Sequence, residues 1–178
     1  PPGTGVLLNN EMDDFALKPG TPNAFGVMGY DANAPKPGKR MLSSMTPTFL
    51  ESPQKVAVLG TPGGSRIITM VLLGILGYDA GLEPQAVAAL PRFHHQWMPD
   101  LIEMETDALS PGTQQTLEAM GHRFKVPGNA AQGGRGSSHV WGNLQTVEWD
   151  KATNTLMGGS DPRNPVGAAK VVESAPSR

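Results

Sequence analysis

The sequence predicts a mixed α+β chain with mainly antiparallel strands, and three observations carry that expectation. Short apolar runs come in pairs separated by tight turns, as at Met45 to Leu50 and Lys55 to Leu59 around Ser52-Pro53-Gln54, which is the pattern of a hairpin. A Gly-rich turn, Gly60 to Arg66, leads into one long apolar run from Ile67 to Tyr78. Two further segments carry helix start and stop residues.

Taken in order, Val6-Leu7-Leu8 reads as a strand edge entering the Asn9-Asn10 loop. Residues 16 to 40 carry repeated Pro and Gly and read as a long irregular loop, a feature that is usually functional or disordered. The apolar run after the first hairpin occupies most faces of a helix, so it is expected to be buried nearly all round. It is shorter than the roughly 20 residues that a membrane span requires. Pro84 opens a second helix and Pro91 stops it. Ser110 caps a third, with Pro111 in its first turn and Gly121 past its end. A strand is expected over His122 to Val126, and a flexible Gly-rich stretch over 127 to 138. Val140 to Trp149 and Thr155 to Met157 flank Asp150 to Asn154 as a last hairpin. The whole of 1–178 reads as one domain, with a frayed tail from about residue 164.

Composition excludes several function classes. The chain has 178 residues, a net charge of -2 and no cysteine. That balance gives no general attraction for nucleic acid or anionic membrane, and without thiols there is no disulfide, thiol nucleophile or thiolate metal site. There are 22 Gly and 17 Pro, far above the roughly 12% combined in an average protein, but without a repeat. The chain opens on Pro1-Pro2-Gly3 with neither Met nor a leader-like segment, so a fragment or processed piece is expected.

Several local patterns have chemical meaning, each with a plainer reading beside it. Glu11 and Asp14 are three apart, so in a helical turn they share a face. Two converging carboxylates suit an ammonium group, or they are a solvated polar turn. Ser43-Ser44 offers two hydroxyl donors for a carboxylate, or a turn pair. Gly63 and Gly64 precede a helix, where unpaired N–H groups and the helix dipole favour an anion or oxyanion; the plainer reading is a tight strand-to-helix turn. The turn lacks the Lys of a P-loop and the spacing of a dinucleotide fingerprint. His94 and His95 are adjacent, so in a strand they point to opposite faces and chelate poorly; packing and hydrogen bonding are expected instead. Asp161-Pro162-Arg163 reads as a salt-bridged turn.

The order of these patterns is more specific than any one of them. Leu8-Asn9-Asn10-Glu11-Met12-Asp13-Asp14-Phe15, Lys39-Arg40-Met41-Leu42-Ser43-Ser44-Met45-Thr46-Pro47-Thr48 and Gly60-Thr61-Pro62-Gly63-Gly64-Ser65-Arg66-Ile67-Ile68, followed by Pro91-Arg92-Phe93-His94-His95-Gln96-Trp97 and Gly159-Ser160-Asp161-Pro162-Arg163, resemble the gamma-glutamyltransferase (gamma-glutamyltranspeptidase) family. The likeness runs from about Gly5 to Arg163 and corresponds to most of that family's small subunit. It implies an N-terminal nucleophile hydrolase fold, a four-layer αββα sandwich that is incomplete in this chain. It also implies a zymogen that cuts itself into a large and a small subunit. An N-terminal Thr then attacks a gamma-glutamyl amide such as glutathione, and the acyl group passes to water or to an amino acid or peptide acceptor. No metal or organic cofactor is implied. By the same resemblance, Glu11 and Asp14 hold the donor's α-ammonium. Ser43 and Ser44 hold its α-carboxylate, helped by an Arg of the large subunit. The N–H groups of Gly63 and Gly64 form the oxyanion hole. Bacterial members of the family are periplasmic or secreted.

The departure is the nucleophile. Pro1 is a secondary amine without a hydroxyl, and Thr4 falls in the loop before Asn9-Asn10. Two other readings share much of the pattern. A cephalosporin acylase relative would take a glutaryl donor without an α-ammonium, against which the full Glu11/Asp14 pair speaks. A non-catalytic homologue would bind gamma-glutamyl compounds or amino acids without turning them over. The chain by itself is expected to release nothing from a gamma-glutamyl anilide, and measurable release by the isolated 178-residue chain would overturn that.

Overall fold

The computed structural model describes residues 3–6, 8–23, 25–125 and 141–172. In chain order the strands and α-helices are β1 (Thr48–Glu51), β2 (Lys55–Gly60), α1 (Arg66–Asp79), α2 (Pro84–Ala89), β3 (Phe93–Gln96), β4 (Leu101–Met104), α3 (Pro111–Ala119), β5 (Phe124–Lys125), β6 (Gln145–Asp150) and β7 (Thr155–Ser160). The chain divides into two compact units, Pro1–Ser44 and Met45–Arg178.

The first unit contains only two single-turn 3-10 helices, Glu11–Asp14 and Asp31–Asn33. No strand forms at Val6 and Leu8, which are exposed at 55% and 74%; Leu7 lies outside the described residues. The long Pro/Gly segment is irregular, as expected, yet it is hydrogen-bonded internally. Asn23 accepts from the N–H groups of Phe25 and Val27, each at 3.0 Å, and Gly20 N–H donates to the Gly29 carbonyl at 2.7 Å. Gly29 is required by contact: a Cβ there would lie 2.6 Å from the Ala16 Cβ. Phe15 and Ala16 are the buried apolar pair of this unit.

The second unit holds a four-stranded antiparallel sheet in the order β1-β2-β6-β7 and a three-stranded sheet in the order β3-β4-β5. Both predicted hairpins form. In the first, the Ser52 hydroxyl accepts from the N–H groups of Gln54 and Lys55 at 3.2 and 2.9 Å and closes the turn. The small sheet was only half legible. β4 follows the Pro99-Asp100 turn, and it pairs antiparallel with β3 but parallel with β5. A parallel pair needs a crossover, and α3 supplies it. Its Ser110 side chain caps the Thr113 N–H at 3.1 Å, and Gly121 follows its end at a φ of 97°.

The inner face of the large sheet meets α1 and α2 in a core of Leu59, Ile67, Val71, Val87 and Leu144. Two glycines let α1 approach closely. A Cβ at Gly74 would lie 2.6 Å from Leu59 Cδ1, and one at Gly77 would lie 2.8 Å from Leu90 Cδ1. The expectation of a helix buried nearly all round is corrected here. Ile68, Leu72 and Leu76, spaced by four, remain 57%, 51% and 53% exposed, because the glycine-bearing side of α1 alone faces the sheet and α2. Beyond β7, the Gly167 N–H donates to the Asn164 carbonyl at 3.0 Å, and Ala169 lies against Gly158.

One ion pair sits at the centre of this unit. Arg92 Nη2 bonds Asp161 Oδ2 at 2.7 Å, with the two side chains 2% and 0% exposed. Arg92 also donates to the carbonyls of Ala88 and Trp141. Asp161 accepts from the Leu144 N–H at 2.8 Å and from Arg163 at 3.0 Å, so the salt-bridged turn expected from the sequence is present. Glu105 completes the set, accepting from Arg163 and from the Arg92 N–H. Burial pushes the Asp161 carboxyl up, but Arg92 and the N–H groups of Arg163 and Leu144 outweigh it and hold the group below its ordinary value of 3.8. A depressed carboxylate stabilises the fold above its unfolded pKa and loses that contribution as pH falls through its folded one. Asp161→Ala, which leaves Arg92 buried without its partner, is expected to cost about 3–5 kcal/mol in urea unfolding near pH 7. In Asp161→Asn, the Asp161 share of the acid-induced loss below pH 3.8 is expected to disappear, leaving a shallower acid limb from the other depressed carboxylates, Glu51, Glu103 and Asp150; an unchanged acid limb would refute the assignment.

Candidate functional site

The acidic turn is built by backbone geometry. Asn9 Oδ1 accepts the Glu11 N–H at 3.2 Å, and Asp13 N–H donates to the Asn10 carbonyl at 3.0 Å. This winds Glu11–Asp14 into a 3-10 turn with three carboxylates in its length. Partial burial, then Glu11, then Asp13, push the Asp14 carboxyl above its ordinary value. The turn therefore holds negative charge at an electrostatic cost, which a bound cation would relieve.

Asn33, which the sequence analysis did not single out, ties this turn to the serine pair. Its Nδ2 donates to the Asp14 carbonyl at 2.7 Å, while its Oδ1 accepts the Leu42 N–H at 3.0 Å. One side-chain amide thus spans the last residue of the acidic turn and the residue immediately before Ser43-Ser44. Lys39 holds the Asp31–Asn33 turn that carries this amide, donating to the carbonyls of Ala32 and Ala34 at 2.6 and 3.0 Å. Ser43 is exposed and Ser44 half-buried, both in the extended segment that leads toward β1. Glu11, Asp14, Ser43 and Ser44 therefore belong to one compact unit.

Gly63 and Gly64 lie in the second unit, between β2 and α1. Their φ values are 146° and 57°, which side-chain-bearing residues rarely adopt. A Cβ on Gly63 would lie 2.6 Å from Met70 Cε. The carbonyls of Gly63 and Gly64 accept the N–H groups of Arg66 and Ile67, each at 3.1 Å. Among the described residues, no backbone acceptor engages the N–H of either glycine.

β3 anchors the start of α1 just after this turn. Ser65 Oγ donates to Gln96 Oε1 at 2.6 Å, His94 Nε2 meets the same oxygen at 2.8 Å, and Thr69 Oγ1 meets His94 Nδ1 at 2.9 Å. These contacts assign the His94 proton to Nε2, with Nδ1 accepting from Thr69. Burial lowers the His94 pKa, so the ring is neutral at pH 7. Arg66 pairs with Glu103, which also holds Lys125 at 3.2 Å. The packing and hydrogen-bonding expectation for His94 is thereby met, while His95 faces away to Asp100 at 3.1 Å. Thr4 lies in the expected loop, its Oγ1 accepting the Val6 N–H at 3.2 Å. The Gly-rich stretch 127–138 lies outside the described residues.

Comparison with known proteins bears on the family and the fold. A family model described as gamma-glutamyltranspeptidase matches residues 1–171. A glutathione hydrolase proenzyme of Pseudomonas sp. (strain A14) is 45% identical over 173 residues, covering 94% of this chain and 29% of that protein. Among solved structures, the gamma-glutamyltranspeptidase of Pseudomonas nitroreducens complexed with L-DON superposes with a TM-score of 0.76 at 41% identity, covering 97% of this chain and 84% of that one. A cephalosporin acylase from Bacillus halodurans is more distant, with a TM-score of 0.62 at 25% identity over 91% of this chain and 27% of that one. The chain spans under a third of the length of the glutathione hydrolase proenzyme it matches. The matched family model, the identity to the proenzyme and the shared α+β fold together place this chain in the gamma-glutamyltranspeptidase family.

Proposed function

We propose that the protein containing this chain cleaves gamma-glutamyl amides, with glutathione as the principal donor, and passes the acyl group to water or to an amino acid or peptide. In this reading the chain is a small-subunit portion, one domain of a self-processing precursor. The nucleophilic Thr and the large subunit come from other parts of that precursor. The protein works outside the cytoplasm, in the periplasm or the medium; among the described residues no helix is long and apolar enough to cross a membrane. No metal or organic cofactor takes part.

The chemistry assigns each residue one task. Glu11 and Asp14 receive the donor's α-ammonium, and Ser43 and Ser44 donate to its α-carboxylate. The Thr hydroxyl adds to the gamma-carbonyl carbon, and the oxygen becomes an oxyanion facing the N–H groups of Gly63 and Gly64. Collapse breaks the C–N bond, the leaving amine takes the proton given up by the Thr hydroxyl, and an acyl ester remains. Water or an acceptor amine then repeats the addition and frees the Thr. A preorganised oxyanion donor contributes about 2.7–4 kcal/mol of transition-state stabilisation.

The observation that carries the reading is the Asn33 bridge. It ties the Asp14 carbonyl and the Leu42 N–H to one side chain, at 2.7 and 3.0 Å, which supports a site where the acidic turn and the serine pair take the two ends of an amino acid. The glutathione hydrolase relatives support it independently. In the full-length protein, Glu11→Gln and Asp14→Asn are each expected to raise the donor KM by roughly 10- to 100-fold, the worth of one charge-assisted hydrogen bond, with a smaller change in kcat. A glutaryl anilide that outperforms the gamma-glutamyl anilide would point to an acylase instead. Binding of glutamate without turnover would point to a binding protein.

Because the Asp14 pKa is raised, the carboxyl takes up a proton sooner on acidification and loses the charge that holds the ammonium. kcat/KM for the donor is expected to fall as pH drops through that raised value, and this limb is expected to be absent from Asp14→Asn. Asn33→Ala, which breaks both bridging bonds, is expected to raise the donor KM about tenfold. An unchanged KM would mean that the bridge does not set the spacing of the two subsites.

A further inference from the structure

We propose that Thr61 and the segment Trp141–Leu144 are the positioning residues of the Gly63-Gly64 turn. They fix the direction in which its N–H groups point. The inference rests on the oxyanion reading of that turn and deepens it.

A peptide unit is planar, so its C=O and N–H point in opposite directions and holding one orients the other. The Gly63 N–H belongs to the same peptide unit as the Pro62 carbonyl. Thr61 Oγ1 donates to that carbonyl at 2.8 Å and accepts the Asn143 N–H at 2.9 Å. The hydroxyl thus uses its proton on the oxyanion turn and a lone pair on the neighbouring segment, so its rotor is fixed from both sides. The Gly64 N–H belongs to the same unit as the Gly63 carbonyl, which accepts from the Arg66 N–H at 3.1 Å. Both donors are therefore aimed through their carbonyls, and among the described residues no acceptor takes the N–H groups themselves.

Gly142 completes the fit. A Cβ there would collide with the Pro62 carbonyl oxygen and with Thr61 Oγ1, and would sit 2.9 Å from Met70 Cε. The backbone φ of 70° at this position also favours glycine. The missing side chain is the room in which the Pro62 carbonyl turns toward Thr61. The segment is held at both ends by the buried ion pair: Arg92 donates to the Trp141 carbonyl, and Asp161 accepts the Leu144 N–H at 2.8 Å. Trp141 and Leu144 are themselves 2% exposed.

The test compares Thr61→Val with Thr61→Ser in the full-length protein. Valine keeps the shape, removes the hydroxyl, and leaves the Asn143 N–H without its acceptor. We expect kcat to fall about 10- to 100-fold, as for a misaligned donor, with the donor KM within twofold on the same scale of reasoning. Serine should restore kcat to within about threefold, since it keeps the hydroxyl. Crystal structures of both variants should show the Pro62–Gly63 peptide rotated in Thr61→Val and restored in Thr61→Ser. If Thr61→Val does not fold, Gly142→Ala replaces it, with the same rotation and kcat loss expected. An unrotated peptide overturns the proposal, whatever happens to kcat. A rotated peptide with unchanged kcat shows instead that Gly63 and Gly64 are not the oxyanion donors, and it overturns the catalytic part of the inference through that reading.

Discussion

The second unit is organised around the Arg92–Asp161 ion pair. It joins three stretches of chain that are remote in sequence: the connection from α2 to β3, the segment before β6 and the exit from β7. An isolated buried charge costs several kcal/mol, so such a pair persists only when almost every donor and acceptor is satisfied. Here Arg92 reaches two carbonyls besides its partner, and Asp161 takes backbone N–H groups from both sides. Neither partner can move without stranding the other. The pair is therefore as much a geometric constraint as a source of stability, and the turn that precedes α1 inherits its rigidity.

The first unit solves a different problem by different means. Among its described residues the buried apolar side chains are Phe15 and Ala16. Order comes from Asn side chains acting as surrogate backbone. Asn9, Asn23 and Asn33 each bond main-chain groups several residues away or close a tight turn. An amide offers a donor and an acceptor on one rigid plane, which suits bridging two strands of irregular chain. The long Pro/Gly segment is held in this way without regular secondary structure.

The parts of this architecture that were legible in the sequence are those with local signals. The first hairpin, the Ser110-capped helix, the last hairpin and the Asp161–Arg163 turn all follow from turn residues, caps or adjacent opposite charges. Glu11, Asp14, Ser43, Ser44, Gly63 and Gly64 stand out by local pattern, and the roles proposed for them come from the order in which a known family carries the same residues. The misses have a common physical origin. Asn33, Thr61 and Gly142 act through partners that are 9, 19 and 82 residues away or through a contact seen only when a Cβ is built, and no periodicity records such pairings. β4 went unseen because its pairing to β5 depends on a helical crossover. The apolar run of α1 was read as buried on every side because composition cannot distinguish a surface covered within the chain from one left bare.

That bare surface has a consequence for handling the protein. Ile68, Leu72 and Leu76 on α1, together with Phe49, Val147, Trp149 and Leu156 on the large sheet, leave greasy area open to solvent. Exposed apolar area of this kind promotes self-association. Solutions of the isolated chain should therefore scatter light increasingly with concentration, and heating should end in precipitate instead of a reversible transition. A melting temperature taken from such a sample records the speed of clumping as well as the strength of the fold.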